Sequence, residues 1–161
     1  MKSAFIKVGI SKYAKIDYDD LNYLLQFKWT LHKKINTFYA STRIDGKTIY
    51  MHRLLLPDST EVDHIDGNGL NNQRDNLRSA TRSQNHANKL KPSNDVYSSD
   101  YKGVWWDKQT NSWRAGIKFR GKQKYLGRFD NEHSAAKAYN EAAIKYFKEF
   151  ANLNIIKEIS Q

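Results

Sequence analysis

The sequence predicts an α+β protein made of two small units, and three observations carry that prediction. Antiparallel strand patterns occupy residues 1–60, and a second strand pattern followed by a long amphipathic helix occupies residues 101–147. Between them lies Lys91-Pro-Ser-Asn-Asp-Val-Tyr-Ser-Ser-Asp100, rich in turn formers and poor in aliphatic side chains. The expected division is therefore 1–91, a linker at 92–100, and 101–161. At 161 residues the chain suffices for one compact domain or two small ones, each near the lower limit for burying its own core.

In the first unit, Asp17–Phe27 reads as a short helix, with Asp17 or Asp19 as its cap and Leu21, Leu24 and Leu25 as its apolar face. Lys28–Lys33, Phe38–Arg43 and Lys47–His52 alternate with the period of strands, and Asp45-Gly46 is a hairpin turn between the last two. Glu61–Ile65 reads as another strand, Asp66–Asn76 as a polar loop, and Thr81–Leu90, following Ser79, as a helix. In the second unit, Gly103–Trp106, Trp113–Phe119 and Lys124–Phe129 read as three antiparallel strands, with turns at Thr110-Asn111 and Arg120-Gly121. Asn131–Phe147 then repeats Ala135, Ala138, Tyr139, Ala142 and Tyr146 at three- and four-residue steps, a face small enough to lie close against a sheet.

Charge narrows the class of partner. There are 27 Lys+Arg against 17 Asp+Glu, a formal net charge of +10, which favours a polyanion such as nucleic acid. The bias belongs to both halves: residues 1–91 hold 15 basic and 9 acidic side chains, leaving 12 and 8 for the rest. An anionic membrane would call for a polybasic run or a basic amphipathic helix, whereas here the basic residues are scattered over strands and turns. With no cysteine, disulfides and thiolate metal sites are excluded. No segment reads as a signal peptide or a membrane span, so a cytoplasmic, intracellular protein is expected.

The segment Glu61–Asn88 gathers the residue types that phosphodiester hydrolysis requires: a metal ligand beside the phosphate, a base for water, and charge stabilisation. Asp63 offers a hard carboxylate oxygen. His64, next on the strand, points to the other side and is a base near neutral pH. Asn85, on the helix, offers an amide oxygen. Asp66-Gly-Asn68 is not a calcium loop, because no bidentate Glu stands at the expected distance.

The Asp63-His64 pair, with Asn76 and Asn85 at 13 and 22 residues from the Asp and Met51-His52-Arg53-Leu54 upstream on a strand, resembles the phage HNH endonucleases, homing enzymes among them. That resemblance implies a ββα-metal finger over 61–91, preceded by strands in 1–60. In it Asp63 and Asn85 bind the metal, His64 is the general base, and Asn76 fastens the loop and helps orient His64. Arg74, Arg78 and Arg82 would meet phosphates. Asp63 and Asn85 stand where many members have His, so one Mg²⁺ (or Mn²⁺) per site is expected rather than Zn²⁺. His86 is a rival third ligand. His52 reads equally as a substrate contact or a half-buried strand histidine, and His32 and His133 as ordinary structural ones.

The second unit resembles the AP2 domain of plant transcription factors and some phage nucleases. The matching pieces are Tyr101-Lys-Gly-Val104, Trp113–Lys118, Tyr125–Phe129, Ala135–Ala143 and Ala151-Asn-Leu-Asn154. A three-stranded sheet backed by one helix follows, its open face in the DNA major groove. Alternation agrees, placing Trp113, Ala115, Ile117 and Phe119 toward the helix and Arg114, Gly116 and Lys118 outside. Residues 112–128 hold Arg114, Lys118, Arg120, Lys122, Lys124 and Arg128 and no acid, a phosphate-binding surface to which Lys102 adds and on which Trp105 and Tyr125 contact sugars or thymine methyls. The plant proteins' base-reading arginines are replaced by Lys102, Trp105, Gly116 and Gln123, so their DNA site does not carry over. Serial exposed aromatics for single-stranded RNA are lacking, because most of the aromatics are needed as core.

Together these readings predict a metal-dependent DNA endonuclease whose partner is double-stranded DNA, with no membrane and no small-molecule cofactor; the oligomeric state is not encoded legibly. The rival class is a non-catalytic DNA-binding regulator with a relic nuclease unit, against which the intact set Asp63, His64, Asn76 and Asn85 argues.

Overall fold

The structure is a computed structural model that describes residues 2–34, 37–89, 91 and 97–156. The chain divides into two compact units, Met1–Asn85 and His86–Gln161, ahead of the expected linker. Most of that linker, 92–96, and Leu90 lie outside the described residues.

The first unit opens with an antiparallel hairpin, β1 (Ser3–Lys7) and β2 (Tyr13–Asp17), in which Ala4 faces Ile16 and Ile6 faces Ala14. These four side chains enter the core, and Phe5 and Tyr13 remain on the open face. The helix expected over Asp17–Phe27 is only a 3-10 turn at Tyr18–Asp20 and one helical turn, α1 (Leu21–Leu24). Asp17 stands at the N-cap position without making a cap bond. Its carboxylate instead accepts from Gln73 Nε2 and the Arg74 backbone N–H (3.1 and 2.8 Å). Leu24 is buried as expected, but Leu25 is 60% exposed.

A meander follows: β3 (Thr30–Lys33), β4 (Phe38–Ile44) and β5 (Lys47–Tyr50). Asp45 and Gly46 both take positive φ (49° and 74°), as a two-residue hairpin turn of the type I′ class requires. The last strand stops at Tyr50, because Met51–Leu55 form a helix, α2. Met51-His52-Arg53-Leu54 is therefore helical, not a strand. Burial of Met51, His52 and Leu55 on one face explains the change of period.

Next come β6 (Glu61–His64) and β7 (Leu77–Ala80), antiparallel, with Asp63 opposite Arg78 and His64 opposite Leu77. Ser79 thus lies in a strand, and the helix α3 (Arg82–Asn88) is started by Thr81. Thr81 Oγ1 accepts from the Gln84 N–H (3.3 Å) while Gln84 Oε1 accepts from the Thr81 N–H (2.8 Å), a capping box. One hydrophobic core, including Ile16, Leu24, Met51, Val62 and Leu77, joins the hairpin, the meander and the β6–β7 pair.

In the second unit, β8 (Val104–Asp107), β9 (Ser112–Phe119) and β10 (Lys122–Phe129) form an antiparallel sheet with β9 central, packed on α4 (Glu132–Phe147). Asn131 caps α4 by accepting from the Ser134 N–H (2.8 Å). The buried stripe is Ala135, Ala136, Tyr139, Ala142, Ala143 and Phe147, rotated slightly from the expected one, since Ala138 and Tyr146 are only half-buried. Gly103 takes φ 72°, and a Cβ there would lie 2.2 Å from the Tyr139 ring, so glycine is required twice over. Asn154 fixes the tail: its Oδ1 accepts from the Lys102 N–H (2.7 Å), and its Nδ2 donates to the Lys102 carbonyl (3.1 Å). Asn152 Nδ2 donates to the Asn88 carbonyl (3.0 Å), so the end of α3 belongs with this unit.

Candidate functional site

The β6–β7 hairpin places Asp63 and His64 side by side, 3% and 5% exposed. His64 lies in an aromatic box. The His52 ring meets it edge-on at 5.0 Å and 89°, and Tyr39 lies 5.7 Å away. Tyr50 stacks on His52 (5.5 Å, 4°), and His32 packs edge-on against Tyr50 at 5.3 Å. Burial lowers the pKa of His64, opposed by its hydrogen bond to the Asn72 amide oxygen and by Asp66 and Asp63. Burial, with His64 and Arg53 nearby, pushes His52 down to about 3. Both imidazoles are thus neutral at neutral pH, and His64 is in the state a base requires.

The loop 65–76 is closed by its own amides. Asn76 Nδ2 donates to Asp66 Oδ1 (3.0 Å) and the Asn71 carbonyl (2.7 Å), and Asn76 Oδ1 accepts from the Asp66 N–H (3.1 Å). The Asn76 backbone also closes the loop next to His64, its carbonyl accepting from the Ile65 N–H (2.9 Å). The side-chain oxygen at His64 Nε2 is that of Asn72, at 3.4 Å.

Asp63 meets Arg78, whose Nε and Nη2 both lie 2.8 Å from Oδ2. Asn85 donates through Nδ2 to Glu61 Oε2 (3.1 Å), which commits the amide nitrogen, so any cation held by this side chain would meet its oxygen. Among the described residues, no three His, Cys, Asp or Glu side chains gather as a metal cage. The donor set is then one carboxylate and one amide oxygen, which fits a hard cation that keeps much of its water.

Several basic residues expected at phosphates have other partners here. Arg74 forms a forked pair with Asp20, with distances of 2.7 to 3.2 Å. Arg78 sits on Asp63, whereas Arg82 is exposed and makes no side-chain hydrogen bond or ion pair among the described residues. Lys102 Nζ donates to the Ala87 and Lys89 carbonyls, and burial lowers its pKa to about 8. His86 is exposed, and His133 packs on Tyr101.

The outer face of the second sheet follows from its register. Trp105 pairs with Arg114, Arg114 with Arg128, Gly116 with Tyr125, and Lys118 with Gln123. Cross-strand partners share a face, so these residues form one surface. Gly116 lets Trp105 and Gln123 close over the strand, since a Cβ there would lie 3.1 and 2.7 Å from them. Arg114 is held by Asp107 and lies over the Tyr125 ring (5.8 Å). Lys122 and Lys124 pair with Phe119 and Ile117 and so leave on the helix side, where Lys124 Nζ covers Tyr146 at 5.5 Å. The expected phosphate surface thus loses these two lysines and keeps Arg128, whose outward register follows from the bulge between Tyr125 and Gly127.

Tyr39, Tyr50 and Asn72 were not expected at the site. The two tyrosines alternate correctly for one sheet face, but nothing in the sequence separates Asn72 from neighbouring turn asparagines.

Residues 51–87 match the family model for HNH endonucleases, and residues 99–149 that for the AP2 domain. An HNH endonuclease of Acanthamoeba polyphaga mimivirus is 31% identical over 160 residues, spanning 92% of this chain and 78% of that protein. A protein of Escherichia phage T7 is 40% identical over 93 residues, 58% of this chain and 75% of its own. An AP2-like ethylene-responsive transcription factor of Arabidopsis thaliana is 44% identical over 59 residues, 37% of this chain but 12% of its own length. No solved structure matches. Similarity along nearly the whole chain, with both family models in sequence order, shows that it belongs to the HNH endonucleases and carries an AP2 domain.

Proposed function

We propose that the chain is a DNA endonuclease that uses one Mg²⁺ (or Mn²⁺), held by Asp63 and Asn85, with His64 as general base. The observation that carries this reading is a buried, neutral His64 beside a buried carboxylate, its ring confined on every side named above. His64 takes the proton from the water attacking the phosphorus as the P–O bond to the leaving oxygen breaks. A bound divalent cation supplies neutralisation of the charge that grows on the phosphate and leaving oxygen. Arg78, already at Asp63, is placed to follow that charge, and Asn76 keeps the loop closed behind the base. Arg82, exposed at the start of α3, would meet the flanking backbone.

The partner is double-stranded DNA, met by the outer face of the AP2 sheet through Trp105, Arg114, Lys118, Tyr125 and Arg128. No helix among the described residues is long and apolar enough to cross a membrane, and an intracellular site of action agrees with a DNA substrate. One catalytic set per chain makes nicking the expected product of a monomer. Supercoiled plasmid with Mg²⁺ should be relaxed, and EDTA should stop the reaction. Cleavage that persists in EDTA, or a need for stoichiometric zinc, would refute the oxygen-ligated metal.

A further inference from the structure

We infer that Asn72 is the positioning residue of the base: its amide oxygen fixes the tautomer of His64, leaving Nδ1 as the atom that takes the proton. This rests on His64 being the base, as proposed above.

Three observations lead there. The first is contact. Asn72 Oδ1 lies 3.4 Å from His64 Nε2, and an amide oxygen only accepts, so Nε2 carries the hydrogen and Nδ1 the lone pair. The second is cost. Asn72 is fully buried, yet its Nδ2 has no hydrogen-bond partner among the described residues. A purely structural amide is normally satisfied at both ends, so the bond that its oxygen makes is the one that accounts for an amide at this place. The third is anchorage. The Asn72 N–H donates to the Lys15 carbonyl (2.7 Å), and the Lys15 N–H donates to the Leu70 carbonyl (2.8 Å). Gln73 and Arg74 then bond Asp17 and Asp20. Asn72 is therefore mounted on the edge of β2, and His52 and Tyr39 wall in the ring whose nitrogen it holds.

Asn76 does a different job. Both hydrogens of its amide are engaged within the loop, by Asp66 and Asn71. Removing it should loosen the loop without first changing which imidazole nitrogen is protonated.

The test is nitrogen-15 NMR of the full-length protein labelled at histidine, which reports the tautomer directly and needs no cleavage. In the wild type His64 should be protonated at Nε2; protonation at Nδ1 would mean that Asn72 donates, and would overturn the inference before any variant is made. Asn72→Leu keeps the volume and removes the acceptor, and should give a mixture of tautomers. Its kcat should fall roughly 10- to 100-fold with KM for plasmid unchanged. Asn72→Asp keeps an acceptor and should keep Nε2 protonated, so it also serves if the leucine variant does not fold. An unaltered tautomer in folded Asn72→Leu would overturn the inference. A wild-type protein with the expected tautomer and no cleavage in Mg²⁺ would instead remove the base assignment on which it stands.

Discussion

The two units use arginine in opposite ways. In the first, Arg74 and Arg78 turn toward acids, holding Asp20 and Asp63. In the second, Lys118 and Arg128 stand on an open sheet face, beside Arg114, which is held by Asp107 and lies over the Tyr125 ring. Both units are basic by composition, yet the charges that build a centre and those that meet a polyanion are separated by register and by the acids opposite them. A count of basic residues therefore overstates the number of phosphate contacts.

Four measurements sharpen that contrast. The largest effect belongs to the centre: Asp63→Ala or His64→Ala should lower cleavage by about 10²- to 10⁴-fold, with DNA affinity within a few-fold because the sheet face is untouched. Full activity of His64→Ala in a plasmid assay would end its assignment as base. Second, Arg74→Ala leaves the buried Asp20 without the guanidinium that pairs with it, while the backbone bond to Asp17 is kept. It should cost about 1–3 kcal/mol in urea unfolding and slow cleavage, although Arg74 touches no phosphate in this scheme. A variant as stable as wild type that has lost only DNA affinity would make Arg74 a phosphate contact after all.

Third, Lys102 gives a pH signature. Its pKa is about 8 in the folded chain against 10.5 for the free side chain, so between these values the unfolded chain binds more protons. The cost of burying the ammonium is complete below about pH 8 and is relieved as pH rises toward 10.5. Stability should therefore rise with pH in that window, by at most about 1.4 kcal/mol per pH unit. Lys102→Met should remove that slope; identical pH dependence in the two proteins would show the amine to be solvated. The smallest effect is Lys118→Ala on the open face. Stability should stay within about 0.5 kcal/mol, while the slope of log affinity against log salt for duplex DNA falls by about 0.9. The same change at Lys124, which covers Tyr146, should leave that slope alone.

How far the sequence revealed all this differs between the units for a physical reason. The second is governed by local rules: the period of β9, positive φ at Asn111 and Arg120-Gly121, and an alanine-rich helix with its own cap. Its strands and helix are legible to within a residue or two. In the first unit, the acids that suggested a helix at Asp17–Phe27 are claimed by Gln73 and Arg74, more than fifty residues away, and Met51–Leu55 coils because its apolar side chains face a core assembled from the whole unit. Spacing exposed Asp63, His64, Asn76 and Asn85 as candidates. It did not expose Asn72, Tyr39 or Tyr50, whose places depend on the loop docking against β2 and on the sheet face turned toward His64.

The bonds between Lys15 and residues 70–72 also bear on the order in which the protein assembles. The N-terminal hairpin is made early in synthesis, but the partner that completes its outer edge is translated more than fifty residues later. Closing that long loop is entropically slow compared with forming the hairpin or the C-terminal helix. The loop 65–76 is therefore expected to be among the last parts of its unit to acquire native geometry, because its anchorage on β2 waits for that closure.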